Sequence, residues 1–459
     1  MLSTSAVFLA VLAAGSQAMQ LPPSNSPFAA RSGVDKVDFI ARRAADPFAN
    51  GTIINSMNTE YLTKVEVAGH NFTLVLDTGS SDLWVYPTRN DLAVKNQTET
   101  FVNITYGSGS VAGTIAYGSV VFSNHTIDNQ VFLNVNLTDD VPIEGILGLG
   151  FDTNSAIYNA TGNNSADATP LTNVFNQNKT DNNFITLDLS RGTDGGNTIG
   201  GAFTINRYLA DQSAVANAPR NNVTPPDSRD WSIAVGGVNV NGQEYNISQD
   251  AVNGTTHAVI DSGTSFAIVP TNLSNFIYQG IPGAKSCPTD SGPMWVVPCT
   301  SASNLTFTFR RVSLLSFADA VWAKLMRGGG GISGQQYPVN PLDLTTLVTF
   351  SANKTRYTAC LGVYTSAAVL TTNTTDLPFY LLGDIFMRNV YSAFNFGSRT
   401  TGLNSSTPAN IQFLSKTNAS TAYTEFVNIR NQTIQELKSK AVDPSTFDCS
   451  TLDAFAADI

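Results

Sequence analysis

Short runs of alternating or continuous apolar residues make up most of the chain between positions 61 and 397. Residues 63–67 (TKVEV) and 305–309 (LTFTF) alternate polar and apolar side chains, and residues 184–189 (FITLDL) are more continuously apolar. Glycine, asparagine, aspartate and serine bound these runs. A period of two with such turn residues between the runs is typical of β-strands. The pattern therefore predicts an all-β protein.

Apolar residues at helical spacing are rare in this chain. They occur at residues 315–325 in the body and at residues 423–440 in the tail. We predict a helix over each of these two segments. Both would be additions to an architecture that strands dominate.

One segment of the chain occurs twice. Residues 74–81 (LVLDTGSS) are matched by residues 258–265 (AVIDSGTS). A second shared element follows each copy, GILG at residues 145–148 and YLLG at residues 380–383. A repeat of this length indicates duplication of a whole domain rather than a solenoid. The chain is therefore predicted to fold as two halves built on one plan.

The composition is that of a globular and acidic protein. Of the 459 residues, 42% are hydrophobic and 13% are charged, and the formal net charge is -10. A nucleic-acid partner would require a basic face, and anionic lipid would require basic clusters. No stretch supplies the roughly 20 apolar residues of a membrane-spanning helix. We therefore expect no nucleic-acid partner and no membrane span.

The first residues are typical of a secretory signal. Residues 6–14 (AVFLAVLAA) are apolar, and small residues at Ser16 and Ala18 suit a cleavage site. We predict a signal peptide over residues 1–18 and a pro-segment over about residues 19–50. The chain also carries 19 Asn-x-Ser/Thr sequons, as expected of a chain that passes through a glycosylating compartment. These features predict a secreted protein, with a cell-wall or vacuolar location as alternatives.

The four cysteines fit an oxidising compartment and at most two disulfides. Three pairings are possible among Cys287, Cys299, Cys360 and Cys449. The chain has no C-x-x-C motif, and its three histidines stand singly. The sequence therefore predicts no metal site and no cofactor.

Each copy of the repeat carries an aspartate at the end of its apolar run. Asp77 and Asp261 enter Thr-Gly and Ser-Gly turns, where glycine permits a tight turn and the close approach of another chain. If two-fold pseudo-symmetry brings the run ends together, the two carboxylates cannot both ionise. One would then act as a base toward water while its protonated partner donates to a carbonyl oxygen. The residues predicted to support this pair are the glycines Gly79 and Gly263 and the hydroxyl donors Ser80 and Thr264.

The sequence around these aspartates resembles the pepsin-like aspartic endopeptidases, of the secreted fungal type. Residues 75–85 (VLDTGSSDLWV) are similar to the first active-site signature of that family, and residues 258–265 are similar to the second. Residues 101–110 (FVNITYGSGS) resemble its flap hairpin, and residues 381–391 (LLGDIFMRNVY) resemble its late core motif. The resemblance extends over roughly residues 61–397.

The resemblance implies a bilobal all-β fold, in which two pseudo-symmetric β-barrel-like lobes enclose a cleft. The lobes would cover residues 51–230 and 231–397, and a glycosylated extension would follow over residues 398–459. Asp77 and Asp261 would form the catalytic pair.

The resemblance also implies roles for the flap. Tyr106 would line the cleft with its hydroxyl group near the indole N–H of Trp84. Gly107 and Ser108 would offer backbone groups to the substrate. Because Ser108 replaces an aspartate that welcomes lysine in some fungal relatives, we expect a preference for bulky apolar residues around the scissile bond.

A disulfide and a substrate class follow from the resemblance as well. Cys299 would pair with Cys360, which leaves Cys287 to pair with Cys449. The alternative pairing, Cys287 with Cys299 and Cys360 with Cys449, stays open. The substrates would be proteins or peptides, and the chain is expected to be a monomer.

Two other functions account for part of the pattern. A protease-like binding or inhibitor protein would keep the fold without activity. The presence of both aspartates, both following glycines and the flap tyrosine argues against it. A glycoside hydrolase also uses two carboxylates, but it does not explain two Asp-Thr/Ser-Gly turns.

Overall fold

The computed structural model describes residues 51–452, except residues 57, 88–91, 108, 139–142, 179–182, 193–197, 253, 290–291, 311–333, 353–354, 367–379, 403–405 and 451. The predicted signal peptide, the predicted pro-segment, the predicted helix over residues 315–325 and the flap residue Ser108 lie outside the described residues. Strands dominate the described part, so the predicted all-β class is confirmed.

The strands include all three runs that the pattern of apolar residues predicts. In chain order they are β1 (Gly51–Ser56), β2 (Glu60–Val67), β3 (His70–Asp77), β4 (Leu83–Val85), β5 (Asn96–Tyr106), β6 (Gly109–Phe122), β7 (His125–Thr138), β8 (Gly145–Gly148), β9 (Phe184–Leu189), β10 (Thr198–Ile205), β11 (Asn221–Asn222), β12 (Ser232–Val240), β13 (Gln243–Tyr245), β14 (His257–Ile260), β15 (Ala267–Val269), β16 (Lys285–Thr289), β17 (Gly292–Val297), β18 (Leu305–Arg310), β19 (Gly334–Pro338), β20 (Thr345–Ala352), β21 (Thr355–Gly362), β22 (Tyr364–Ser366), β23 (Tyr380–Leu382), β24 (Val390–Asn395), β25 (Asn410–Ser415) and β26 (Lys440–Ala441).

The α-helices of the described part are short except for the last. They are α1 (Ala156–Ala160), α2 (Pro170–Gln177), α3 (Thr271–Tyr278), α4 (Asp384–Met387) and α5 (Ala422–Glu436). None of the helices in these ranges is long and apolar enough to cross a membrane.

Six strands of the first half close into a barrel. The pairs run β2–β3, β3–β8, β8–β4, β4–β7 and β7–β6, and β6 returns to β2 beside Glu66 and Val67. Leu74, Leu76 and Leu147 belong to the buried core of this barrel. Closure leaves no open edge in this part of the sheet. The end of β3, where Asp77 lies, is therefore held between paired strands.

The second half repeats this arrangement around β14. Here β14 runs parallel to β23 with Val259 beside Leu381, as β3 runs parallel to β8 with Leu76 beside Leu147. The strand β15 pairs antiparallel with β23, as β4 does with β8. The sequence repeat is therefore a structural repeat, in which β3 and β14 are equivalent strands.

A continuous sheet joins the two halves. β1, β10 and β9 continue into β24 and β25, because Phe184–Leu189 pairs with Val390–Asn395 and the latter pairs with Asn410–Ser415. The last of these strands comes from the segment predicted as an extension. The predicted boundary at residue 397 therefore does not coincide with a break in the sheet.

The tail beyond this sheet packs on the second half. The helix α5 lies within the predicted segment 423–440, apart from its first residue, and buries Phe426 and Arg430. The Arg430 Nη2 donates to the carbonyl oxygens of Leu342 at 3.1 Å and Thr345 at 2.7 Å. The guanidinium thereby supplies donors to buried carbonyl groups, so α5 is part of the folded body.

Two disulfides support this half of the molecule. Cys299 pairs with Cys360, and Cys287 pairs with Cys449 across a sequence separation of 162 residues. These are the pairs that the family resemblance implies, and the alternative pairing is wrong. The second bond attaches the chain beyond α5 to β16.

Candidate active site

The two repeated aspartates lie at the ends of equivalent strands. Asp77 is the last residue of β3, and Asp261 directly follows β14. Both side chains are buried, with 5% and 7% of their surface exposed. The strands preceding them are buried between paired neighbours, so each carboxylate has a rigid backbone support.

The glycine of each turn holds its own aspartate and approaches the other. The Gly79 N–H donates to Asp77 Oδ1 and the Gly263 N–H to Asp261 Oδ1, both at 2.8 Å. A Cβ at Gly79 would lie 2.4 Å from Asp261 Oδ1, and one at Gly263 would lie 2.3 Å from Asp77 Oδ1. Such distances leave no room for a side chain. The two turns therefore bring the carboxylates together across a pseudo-two-fold axis.

Hydroxyl groups complete the support of both carboxylates. Ser80 Oγ donates to Asp77 Oδ2, and Thr264 Oγ1 donates to Asp261 Oδ2 at 2.7 Å. Both donors lie three residues after their aspartate, which reflects the shared turn geometry. Each carboxylate thus has one oxygen bonded to a backbone amide and the other bonded to a hydroxyl.

A second pair of hydroxyls links the turns beneath the carboxylates. Thr78 Oγ1 donates to the Ile260 carbonyl oxygen at 2.8 Å and accepts the Ser262 N–H at 2.9 Å. Ser262 Oγ donates to the Leu76 carbonyl oxygen at 2.7 Å and accepts the Thr78 N–H at 3.1 Å. Sequence reasoning missed this role, although a hydroxyl residue in the same place of both repeats was the available signal.

The electrostatic setting of the pair favours a retained proton. Burial first, and the negative charge of Asp261 second, raise the pKa of Asp77. The bonds from Ser80 and Gly79 act in the opposite direction. One carboxyl group of the pair therefore stays protonated at pH values where an isolated aspartate has ionised.

The predicted flap is a hairpin of β5 and β6, with Tyr106 paired to Gly109 at its tip. The Trp84 Nε1 donates to Tyr106 Oη at 2.8 Å, and the two ring centroids lie 6.4 Å apart. A Cβ at Gly107 would meet nothing within 4 Å, so this part of the tip faces open space. Asp82 and Asp77 add to burial in raising the pKa of the Tyr106 phenol, which therefore stays protonated.

The late motif contributes a buried ion-pair network that sequence reasoning missed. Arg388 Nε donates to Asp343 Oδ1 at 2.8 Å. Arg191 donates to both oxygens of the same carboxylate, through Nε to Oδ1 at 3.3 Å and through Nη2 to Oδ2. Arg388 Nη1 also donates to the Asn58 carbonyl oxygen at 2.8 Å. The network joins the first and second halves of the molecule. Asp343 carries no motif that marks it in the sequence.

The same motif buries a carboxyl group. Asp384 has no exposed surface, and neither of its carboxyl oxygens has a hydrogen-bond partner among the described residues. Burial raises its pKa strongly, and the charges of Asp261, Glu60 and Asp77 act in the same direction. Arg388 opposes this effect without outweighing it. Asp384 is therefore held as a neutral acid over the acidic pH range.

Comparison with known proteins agrees with this geometry. A family model described as eukaryotic aspartyl protease matches residues 60–406. The chain belongs to the eukaryotic aspartyl proteases. Membership in these proteases confirms the resemblance read from the motifs, and the strand architecture is that of the pepsin-like bilobal fold. The eukaryotic aspartyl proteases are hydrolases that act on peptide bonds.

Individual relatives of this aspartyl protease are distant in sequence. An aspartic-type endopeptidase of Aspergillus fumigatus is 27% identical over 75% of this chain, which covers 65% of that relative. Pepsin A of Rhinolophus ferrumequinum is 26% identical over 79% of this chain and 85% of its own length. Cathepsin E-A of Xenopus laevis is 23% identical over 81% and 86%. The chain thus spans just under two thirds of the fungal relative and most of the two animal relatives.

The structure brings most of the predicted site residues together. Asp77, Asp261, their two glycines and their two hydroxyl donors form one cluster, and Tyr106 binds Trp84 on the flap side. No group of histidine, cysteine and acidic side chains within the described part of the chain could hold a metal ion. The roles of these residues in catalysis stay predictions.

Proposed function

We propose that this chain is an exported acid endopeptidase in which Asp77 and Asp261 activate water against a peptide carbonyl. The observation that carries the proposal is the pair of equivalent turns whose glycines each touch the opposite carboxylate. Two carboxyl groups at this separation share one proton, which supplies an acid and a base in one site.

The hydrolysis needs only this shared proton and a water molecule. The ionised carboxylate takes a proton from water as the water oxygen attacks the carbonyl carbon. The protonated carboxyl group donates to the carbonyl oxygen, and a tetrahedral diol results. A proton then passes to the amide nitrogen as the C–N bond breaks, which releases an amine and a carboxylic acid.

The flap and the turn glycines are proposed to bind the peptide. Tyr106 is oriented by the Trp84 indole, so its ring can form one wall of the cleft. The open space at Gly107 allows the backbone of an extended substrate to approach the hairpin tip. The next flap residue in the sequence is Ser108, which carries no charge. A flap without an acidic residue at this position supports a preference for bulky apolar side chains around the scissile bond.

Location and processing are part of the same proposal. The expected signal peptide, the sequons and the two disulfides support a protein that matures in an oxidising compartment. The secretory features favour an extracellular site, with a vacuolar one as the alternative. The expected pro-segment over about residues 19–50 would be removed before the enzyme acts.

The test is hydrolysis of an unfolded protein between pH 2 and pH 8, with and without pepstatin. We expect activity at acidic pH that pepstatin abolishes. Asp77→Asn should lower kcat by at least about 10³-fold, because the variant cannot both accept and supply the shared proton. Asp128→Asn, which removes an exposed charge, is the matched control and should keep full activity.

Three other outcomes would contradict the proposal or favour a different function. Substantial hydrolysis by Asp77→Asn would contradict the catalytic pair. A folded wild-type protein that binds pepstatin without hydrolysing peptides would favour the binding-protein alternative. Release of sugar without release of peptides would favour the glycoside hydrolase.

A further inference from the structure

Asp230 is a third carboxylate that the strand register places beside the catalytic pair. The strand β12 runs antiparallel to β14, with Ser232 opposite Val259. The Ile260 N–H donates to the Trp231 carbonyl oxygen at 3.1 Å, which extends this pairing by one residue. Asp230 and Asp261 are the next residues beyond this bond on the two segments, so they are neighbours. Sequence reasoning assigned no role to this position.

The side chain of Asp230 faces away from the core. The neighbouring Trp231 is fully buried, donates through Nε1 to the Leu149 carbonyl oxygen at 3.1 Å and packs against Phe151. Asp230 precedes β12 and lies in a bend, in which the Ser232 N–H donates to the Asp230 carbonyl oxygen at 2.7 Å. In contrast to Trp231, Asp230 is partly exposed.

A contact with the first half shows that Asp230 lies where the two lobes meet. Asn154 Nδ2 donates to Asp230 Oδ1 at 3.1 Å. Asn154 follows Leu149 closely along the chain, and the Leu149 N–H donates to the Asp77 carbonyl oxygen at 2.7 Å. Asp230 is therefore bound to a segment that pairs with one catalytic aspartate, and it is a neighbour of the other.

The charge of Asp230 is only partly compensated at this place. Burial, and then the negative charge of Asp261, raise the pKa of Asp230, while Arg229 and the Asn154 bond act in the opposite direction. No ion pair joins Arg229 to Asp230 within the described ranges. A cation delivered by a ligand would relieve the repulsion between the two carboxylates.

We propose that Asp230 is a specificity-determining residue that receives a basic side chain of the substrate, lysine or arginine, at the position that lies beside Asp261. The inference rests on the proposed peptidase function. The Asn154 bond orients one oxygen of the carboxylate, and the other is directed to the substrate. The enzyme would thus combine apolar subsites with one acidic subsite next to the scissile bond.

The experiment uses quenched peptides of one sequence that differ only in lysine or norleucine, placed in turn at each of three positions on either side of the cleaved bond. Norleucine keeps the aliphatic chain of lysine without its charge. At the highest pH at which the wild-type enzyme is active, we expect one position where lysine raises kcat/KM on the order of tenfold over norleucine.

Three variants test whether this preference comes from Asp230. Asp230→Asn retains an oxygen acceptor for Asn154, and its ratio of kcat/KM for the lysine and norleucine peptides should fall to about one. Because the change creates an Asn-Trp-Ser sequon, wild type and variants are compared after enzymatic removal of N-glycans. Asp227→Asn removes a charge from an exposed place on the same loop and should keep the wild-type ratio. Asp230→Lys should instead prefer glutamate over glutamine at the same position.

The proposal is overturned if wild type shows no lysine preference at any position, or if Asp230→Asn keeps it. Failure of the peptidase function itself has a different signature, since wild type would then cleave no peptide. In that case the lysine and norleucine peptides are compared by the dissociation constants of the intact peptides instead of by kcat/KM. Equal affinity for the lysine and norleucine peptides would also overturn the proposal.

Discussion

The side-chain size of two residues limits how closely the two aspartate turns can approach each other. Gly79 and Gly263 each leave the opposite carboxylate in the space where a Cβ would otherwise stand. The need for glycine at these positions is steric, because neither residue has a positive φ angle. Close approach of the two turns is the condition for sharing a proton.

Gly79→Ala should therefore separate the carboxylates. We expect kcat/KM to fall by about 100-fold or more, since a displacement of about 1 Å in a catalytic group has that effect. The measurement is steady-state hydrolysis, with circular dichroism to verify folding. Gly280→Ala is the matched control, because its Cβ would meet only Asn241 Nδ2 at 3.8 Å. Equal activity of Gly79→Ala and wild type would contradict the close approach of the two turns.

The residues that could be predicted at this scale are those in the two copies of the repeat. Asp77, Asp261 and their glycines stand in matching apolar frames, which made them recognisable without a structure. Asp343 and Asp230 stand in no repeat, and their partners Arg388 and Asn154 are far away along the chain. Local sequence carries no information about such partners.

At the scale of elements, the strands β3 and β14 are joined by the four hydrogen bonds of Thr78 and Ser262. All four donors and acceptors are buried, and they connect residues more than 180 positions apart. A buried polar group that loses its partner costs about 1–3 kcal/mol. These bonds therefore determine both the distance between the turns and part of the stability of the two-lobed molecule.

Thr78→Val should break two of these bonds while filling the same volume. We expect the free energy of unfolding to fall by about 1–3 kcal/mol, because the Ile260 carbonyl and the Ser262 N–H lose their partner. Urea denaturation measures this change. Thr78→Ser keeps the hydroxyl group and is the control. If both variants were equally stable, the hydroxyl bonds would contribute nothing.

Element types were largely predictable, but their partners were not. The alternation at residues 63–67 and 305–309 and the apolar run at residues 184–189 predicted strands, and β2, β18 and β9 include these residues. The tail helix was also predicted, and α5 ends four residues before the predicted end. The pairing of β25 with β24 depends on the path of the chain through the tail. The local periodicity of apolar residues does not predict that path.

At the scale of the whole molecule, the carboxyl groups set the dependence of stability on pH. Burial raises the pKa of six of them, Glu60, Asp77, Asp82, Asp230, Asp250 and Asp384. Each such group binds its proton more tightly in the folded state than in the unfolded chain. Stability from these groups is present at acidic pH and is lost as pH rises above the ordinary aspartate pKa of about 3.9.

Asp343 acts with the opposite sign. The charges of Arg191 and Arg388 outweigh burial and lower its pKa, so its contribution is present above the ordinary pKa and is lost as pH falls. We expect the six groups with a raised pKa to outweigh Asp343, because they outnumber it among these carboxyl groups. The denaturation temperature should therefore be higher at pH 4–5 than at pH 8.

Asp384→Asn should make the denaturation temperature depend less steeply on pH. The amide resembles the neutral carboxyl group that burial favours, so the variant no longer has to retain a proton at this site. Thermal unfolding between pH 3 and pH 8 measures the effect, with Asp227→Asn as the exposed control. A denaturation temperature that rises steadily to pH 8 would contradict the sign of the prediction. A slope unchanged in Asp384→Asn would contradict the part assigned to this residue.

The sequence by itself determined the strand-rich class, the duplication and the identity of the paired aspartates. Each of these depends on the order of neighbouring residues, either as a period of two or as a repeated motif. The family match over residues 60–406 agrees with the strand-rich class, and the equivalent pairings of β3 and β14 agree with the duplication.

Only the tertiary structure decided how those parts meet. It brought Gly79 against Asp261 and joined Thr78 to Ser262 by hydrogen bonds. It also placed Asp230 near Asp261 and added Asn410–Ser415 to the central sheet. These contacts join segments far apart along the chain. They follow from burying the apolar faces of both halves together, which is a property of the whole fold.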